Sequence, residues 1–390
     1  MGIELNKDQI FASYEAQKWK ANGYTDQVFE ISGRAGTGKT TTVKYILQEM
    51  GLDPQHDVLF VAFTGKAASQ LSKQNVPAIT CHSAFYEYKK EYDRLPNGRI
   101  IYNEAGKPKL KGVFKKKEYL KKRYKLIVID EATMINQKMR DDILSFGLPV
   151  IALGDMNQLP PVFGDPVFLN NPDVTLHQIM RQREGDPIVY IAEMVLDNLN
   201  IKYGVYKKSS VIRRSDLNEY QMKHADIILT GTNNLRREIN RLFREDYLQF
   251  PKLEFPYVGE KVICKRNDWS KCLSNNIYLT NGTTGFLDYV DRESYNGRSM
   301  KIDFRPDFTN KVFRDLSADY RHLMEIQDVN SLNLGLEMFE FAYAITCHSS
   351  QGSQWENVLA MGEMYGSKEF QKKMLYTMVT RASESITLVL

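Results

Sequence analysis

The chain has 390 residues, enough for about two or three domains. Its 43% hydrophobic and 26% charged residues are the balance of an ordinary globular protein, and a formal net charge of only +4 excludes a uniformly basic nucleic-acid coat or an acidic disordered tail. No apolar run approaches the ~18 residues of a membrane span. The first twenty residues carry Glu4, Asp8 and Glu15 with no apolar block, so no secretory signal is expected and the cytoplasm is the expected location. The four cysteines, Cys81, Cys264, Cys272 and Cys347, form no C-x-x-C pair and read as free thiols in a reducing compartment. No His/Cys/Asp group has metal-ligand spacing, so no zinc site is expected.

In chain order, the first strand is Val28–Ile31, followed by Gly33-Arg34-Ala35-Gly36-Thr37-Gly38-Lys39-Thr40 and a helix over Thr41–Met50. This is G-x-x-x-x-G-K-[ST] between a strand and a helix. Its glycines let consecutive backbone N–H groups line a phosphate-sized hollow, Lys39 reaches the outer phosphates, and the Thr40 hydroxyl can ligate Mg²⁺. ATP and Mg²⁺ are therefore the expected cofactors. Gly33, Ala35, Gly36, Thr37, Gly38, Lys39, Thr40 and Thr41 form the candidate nucleotide site. A second strand is expected at Val58–Phe63.

Between Ala84 and Lys125 there are 14 Lys or Arg against 5 Asp or Glu, with eight aromatics interleaved. This segment holds more than the whole net positive charge. It is either a solvated basic face or a nucleic-acid contact, since phosphates need cations and unstacked bases need flat partners. Within it, Gly98–Phe114 reads as a hairpin: Arg99–Tyr102, a turn at Asn103–Lys107, and a return over Lys109–Phe114. Tyr102 and Phe114 would flank the turn.

Leu126–Ile129 is a buried strand ending in Asp130-Glu131. Behind a P-loop, Asp130 is expected to hold Mg²⁺ through water and Glu131 to polarise the attacking water. The next strand, Val150–Leu153, leads into Gly154-Asp155-Met156-Asn157-Gln158, where Gln158 suits sensing of the γ-phosphate. Further strands are expected at Ile227–Thr230, Val358–Met361 and Ile386–Leu390. Gly259–Asp303, with its Asn281-Gly282 turn, reads as a small antiparallel β unit. Trp19, Trp269 and Trp355 read as core or interface anchors rather than stacking platforms.

Taken together, these phrases resemble the RecD-like group of superfamily 1 helicases, in size and layout nearest its small phage members. Leu5-Asn6-Lys7-Asp8-Gln9 resembles the Q motif, with Gln9 on the adenine edge. Thr64-Gly65-Lys66-Ala67-Ala68 and Thr80-Cys81-His82-Ser83 resemble motifs Ia and Ib. Leu176–Gln182 resembles motif IV, which makes Arg181 an arginine-finger candidate. Thr232-Asn233 resembles motif IVa, and Ala342–Gly352 motif V, with Gly352 at the nucleotide. Leu375–Ala382 resembles motif VI, with Arg381 the second finger.

The resemblance implies an α/β architecture of two RecA-like P-loop parallel-sheet domains. The first would span 1–175, with a basic hairpin insertion at about 84–125 that acts as a separation pin. The second would combine 176–250 and 340–390, with an SH3-like β insertion at 251–339. It implies catalysis by Lys39, Asp130, Glu131, Gln158, Arg181 and Arg381. It also implies strand contacts from Thr64, Lys66, Thr80, His82, Tyr102, Phe114, Thr232, Asn233, Thr346 and His348, although either histidine could equally be structural. The implied activity is ATP-dependent 5′→3′ translocation on single-stranded DNA and unwinding of forked duplex in replication, recombination or repair. The protein would act as a monomer without membrane association, in the cytoplasm of a bacterial or phage-infected cell, with replication or recombination proteins as possible partners. Two other classes stay open: a translocase that strips proteins from single strands, and a regulatory P-loop ATPase outside the helicases.

Overall fold

A computed structural model describes residues 5–95, 97–102, 108, 110–120, 122–160, 166–178, 185–197, 199–250, 254–273, 277–326 and 335–390. Chain contacts group into two units. One comprises Met1–Ile79, Lys121–Leu253 and Ala342–Leu390; the other comprises Thr80–Leu120 and Glu254–Phe341.

The first unit contains two six-stranded sheets. Strand order in the first is Ala78–Thr80, Val58–Ala62, Leu126–Asp130, Val150–Gly154, Val28–Gly33, Val174–Leu176. Its central pairs are parallel, with Phe29 opposite Ile151 and Leu59 opposite Ile127. Val58–Ala62 and Val150–Gly154 are buried along their whole length because helices cover both faces. Helix Lys7–Ala21 lays Ala12, Ala16 and Trp19 into this core beside Phe29 and Ile31. The strand that ends at Gly154 lies between the P-loop strand and the strand that ends at Asp130. Three functional turns thus leave adjacent carboxyl ends, where open α/β sheets bind ligands.

The second sheet runs Ala344–Thr346, Ile227–Thr230, Trp355–Met361, Ala382–Val389, Ser209–Ile212, Gly204–Tyr206. Its neighbouring strands pair in parallel except the last two, which form an antiparallel hairpin. The expected two parallel-sheet architecture is therefore present. Trp355 at 9% exposed and Trp19 at 8% are packed inside, while the Trp269 side chain lies outside the described residues.

The second unit holds a hairpin and a five-stranded antiparallel sheet. The sheet order is Phe313–Asp319, Ser299–Pro306, Thr284–Asp291, Lys261–Cys264, Phe339–Phe341. Met300, Ile302, Phe304 and Pro306 alternate inward along one strand, as a half-buried sheet requires. Phe339–Phe341 pairs with Lys261–Cys264, so this β unit extends past residue 339.

The hairpin differs from the sequence expectation. Its outgoing strand is Tyr86–Tyr92, paired with Leu110–Lys116, and not Arg99–Tyr102. Tyr86, Tyr88 and Tyr92 favour a strand, and the register sets Glu87 opposite Lys115, which places opposite charges across from each other. Arg99–Tyr102 instead follows a tight reversal at Gly98 (φ +84°), where Arg94 bridges Ile100; Tyr102 makes a single bridge to Pro108. The Asn103–Lys107 turn lies outside the described residues, as does the Phe114 side chain.

Candidate active site and nucleic-acid interface

The P-loop strand delivers Gly33 to a turn in which Gly36 and Gly38 take φ values of +84° and +79°, a region closed to most side chains. Gly38 caps the Lys39–Glu49 helix, whose free N–H groups and dipole face the hollow. Lys39 Nζ donates to the Gly33 carbonyl at 2.7 Å and the Arg34 carbonyl at 3.2 Å, which holds the ammonium over the loop. Gln9, 2% exposed, donates to the Thr37 carbonyl at 3.2 Å, and its amide oxygen accepts the Asn6 N–H. The Q-motif glutamine thus braces the P-loop as well as the start of its own helix.

Asp130 and Glu131 emerge two strands away. Burial pushes the Asp130 carboxyl up to about 6; the Glu131 charge pushes the same way and Lys39 pulls it down. Two adjacent carboxylates, with the Thr40 hydroxyl, form an oxygen donor set suited to a divalent cation. Glu131 itself sits in the left-handed region, φ +53°, which costs a non-glycine residue on the order of 1 kcal/mol or more. Its N–H donates to the Asp130 carboxylate at 3.0 Å.

The two sheets line a cleft of about 390 Å³. Ala35, Gly36, Gly38, Lys39, Thr40, Thr41, Asp130, Glu131 and Gln158 line it from the first sheet, and Gly352, Gln354, Thr380 and Arg381 from the second. Arg381 is 5% exposed; its Nε donates to the Thr377 carbonyl at 3.1 Å and its Nη1 to the Ser353 carbonyl at 3.2 Å. Gly352, at φ +71°, packs on Thr64, where a Cβ would collide with the threonine hydroxyl. Arg181 lies outside the described residues.

Thr64, Thr80 and Thr232 share one geometry. Each lies at or just past a strand end, caps a helix, and accepts the N–H three residues on: Ala67, Ser83 and Leu235. Helix N-termini suit backbone phosphates. At Thr232 the Glu363 carboxylate takes the hydroxyl at 2.6 Å and the Gly231 and Thr232 N–H groups at 2.6 and 2.8 Å. Asn233 beside it is exposed. Thr346 bonds Ser349, 3.0 Å between hydroxyls. Burial lowers the pKa of both His82 and His348, which favours the neutral ring. Lys66 is only 8% exposed, its ammonium 4.1 Å from the Trp355 ring centre. It joins the two sheets rather than projecting outward. Tyr102 is 59% exposed, open to a partner ring.

Sequence reasoning missed Asp155. It is 1% exposed and accepts from the P-loop Ala35 N–H at 3.2 Å and the Tyr376 hydroxyl at 2.8 Å. The signal was its place directly after an apolar strand, one turn before Gln158.

The AAA domain family model matches residues 15–216, and the UvrD-like helicase C-terminal domain matches 341–389. The chain belongs to the AAA domain family. It is 25% identical over 386 residues to the ATP-dependent RecD2 DNA helicase of Deinococcus radiodurans, covering 91% of this chain and 46% of that protein. The RecBCD enzyme subunit RecD of Buchnera aphidicola is 23% identical over 424 residues, covering 92% and 69%. The chain thus spans about half the length of the RecD2 relative. Among solved structures, Bacteroides Pif1 bound to single-stranded DNA aligns with TM-score 0.53 and 18% identity, covering 99% of this chain and 92% of that one. A Pif1 helicase from a study of unwinding at forked duplex DNA aligns with TM-score 0.55, 20% identity and the same coverage. These likenesses show a shared fold. Among the described residues, no helix is long and apolar enough to cross a membrane.

Proposed function

We propose that the chain is an ATP-dependent DNA helicase that moves 5′→3′ on single strands and unwinds forked duplex in replication, recombination or repair. The observation that carries this is one cleft lined by Lys39, Asp130 and Glu131 from one parallel sheet and Arg381 from another. An ATPase that did no more than bind nucleotide would not need a cationic group from a second sheet.

ATP is the proposed substrate, with its phosphates on the Gly36–Thr40 N–H groups and the Lys39 ammonium. Mg²⁺, held by Thr40 and Asp130, would neutralise phosphate charge when bound. Glu131 orients and deprotonates the attacking water, and Gln158 stands beside the terminal phosphate. Arg381, with Arg181 as second finger, leaves its carbonyl partners to meet charge that spreads in the transition state. Loss of that charge on hydrolysis frees the guanidinium and lets the sheets part. A strand held at Thr64 and Thr80 on one side, and at Thr232, Asn233, Thr346 and His348 on the other, is then gripped alternately. The basic hairpin, with Tyr102 and Phe114, is proposed to hold the duplex junction apart. The protein works as a monomer in the cytoplasm, where replication or recombination proteins are the expected company. The RecD and Pif1 relatives support this reading.

Forked duplexes with a single 5′ or 3′ tail test it. ATP-dependent unwinding is expected only from the 5′ tail. Unwinding from the 3′ tail would overturn the polarity. Protein displacement from single strands without unwinding would leave a translocase.

A further inference from the structure

Three hydrogen bonds fasten the loop that follows Gly154 to the second sheet. The Tyr376 hydroxyl donates to Asp155 Oδ2 at 2.8 Å, the Leu159 N–H to Thr377 Oγ1 at 2.9 Å, and Gln351 Nε2 to the Leu159 carbonyl at 2.8 Å. Asp155, Leu159, Gln351, Tyr376 and Thr377 are all buried, none above 4% exposed. Asp155 Oδ2 also accepts the Ala35 N–H from the P-loop at 3.2 Å, while Oδ1 accepts the Asn157 N–H at 3.0 Å. One carboxylate oxygen is therefore shared between the P-loop and the helix Lys368–Val379. That helix ends two residues before Arg381, whose Nε rests on its Thr377 carbonyl.

We infer that Tyr376 and Asp155 are positioning residues, a single hydroxyl–carboxylate link that sets the distance between the Arg381 finger and the phosphate end of the P-loop. The inference rests on the ATPase reading of the cleft. Its physical basis is the shared oxygen. When the second sheet swings outward, Tyr376 withdraws its proton from Oδ2. The carboxylate then turns fully to Ala35, and the P-loop amide it holds shifts with it. When the sheet closes, the hydroxyl recentres the carboxylate and Arg381 arrives in register. Buried charge-assisted bonds of this kind are short and directional, so a small rotation of the helix is felt at the loop. Burial and the Asp155 charge hold the Tyr376 hydroxyl well above its ordinary pKa, so it remains a donor throughout the working range. Lobe closure, which a bound strand sets, is by this route written into the geometry of the phosphate site.

The test compares wild type, Tyr376→Phe, Asp155→Asn and the double variant. ATP turnover is measured with and without oligo-dT, and nucleotide Kd with a fluorescent ATP analogue. Tyr376→Phe removes one oxygen from a buried ring, and Asp155→Asn keeps volume but leaves one oxygen for the Tyr376, Ala35 and Asn157 donors. Each is expected to lower kcat in oligo-dT about tenfold or more, with nucleotide Kd changed less than about threefold. The fold stimulation by oligo-dT falls towards one. The double variant is expected to be no worse than the poorer single, because both cut the same link. A merely structural role would lower melting temperature and strand affinity but leave the stimulation ratio as in wild type, and would overturn the inference. Multiplicative losses in the double variant, or a Kd that rises in step with the loss of kcat, would also overturn it. Wild type that ignores oligo-dT altogether would instead bring down the helicase reading, and the coupling claim with it.

Discussion

Glu131 is a strained residue at the exit of a strand buried from Leu126 to Ile129, and its strain is maintained by the fold around it. Glu131→Gln keeps that backbone and removes only the base. Nucleotide binding should persist while turnover drops about 10²-fold or more. Wild-type turnover in this variant would show that another group activates the water. Arg381→Ala removes a guanidinium already poised on two carbonyls, and kcat should fall about 10³-fold with a smaller change in nucleotide affinity. A loss of affinity with unchanged kcat would assign Arg381 to ground-state binding. The Asp130 carboxyl gives a pH signature. Its folded pKa of about 6 lies above the ordinary 3.8, so its contribution to stability is present below pH ~4 and lost as pH rises through 6. In metal-free buffer, Asp130→Asn should raise the melting temperature at pH 7.5 and leave it unchanged near pH 4. A variant that melts lower at pH 7.5 would contradict the assigned burial penalty. The buried thiols Cys81, Cys264 and Cys347, each pushed up to about 12 by desolvation, are inert at any of these pH values.

Among the elements, the basic hairpin shows how sequence and structure part company. The positive segment and its hairpin character were legible from charge and turn residues. The pairing was not, because the return strand Leu110–Lys116 finds its partner across seventeen intervening residues, beyond the reach of a local turn signal. The structure also sorts the Lys115–Lys117 run. Lys115 pairs with Glu91, and Lys117 Nζ donates to the Ser83 and Ala84 carbonyls at 2.8 and 3.0 Å. These lysines hold the stem, so a clean test spares them. Replacing residues 93–109 by a two-residue turn between the paired Tyr92 and Leu110 should leave DNA-stimulated ATPase within about twofold, since the stem and cleft are untouched. Duplex unwinding should collapse. Unwinding at full rate would remove the hairpin from the strand-separating role. The strand-end threonines were legible as phrases, but their common function as helix caps, and the Glu363 carboxylate on Thr232, appear only when the strand ends are assembled.

For the whole molecule, the P-loop, the Asp130–Glu131 strand end and the final Arg381 phrase were readable because each is a short run whose local geometry fixes its chemistry. What joins them was not. Asp155, Thr377, Tyr376 and Gln351 meet only through long-range packing, from positions up to 221 residues apart, and no local pattern marks a carboxylate as the junction of two sheets. The five-stranded antiparallel sheet was only half legible. Its Phe313–Asp319 and Phe339–Phe341 strands lie outside the turn-rich stretch that announces the rest. The central claim is that this two-sheet cleft hydrolyses ATP as a motor on single-stranded DNA, and steady-state ATP turnover with and without a single-stranded oligonucleotide tests it most directly. Turnover is predicted to rise at least about tenfold with the strand and to vanish in Lys39→Ala. A rate that is the same with and without the strand would contradict the account.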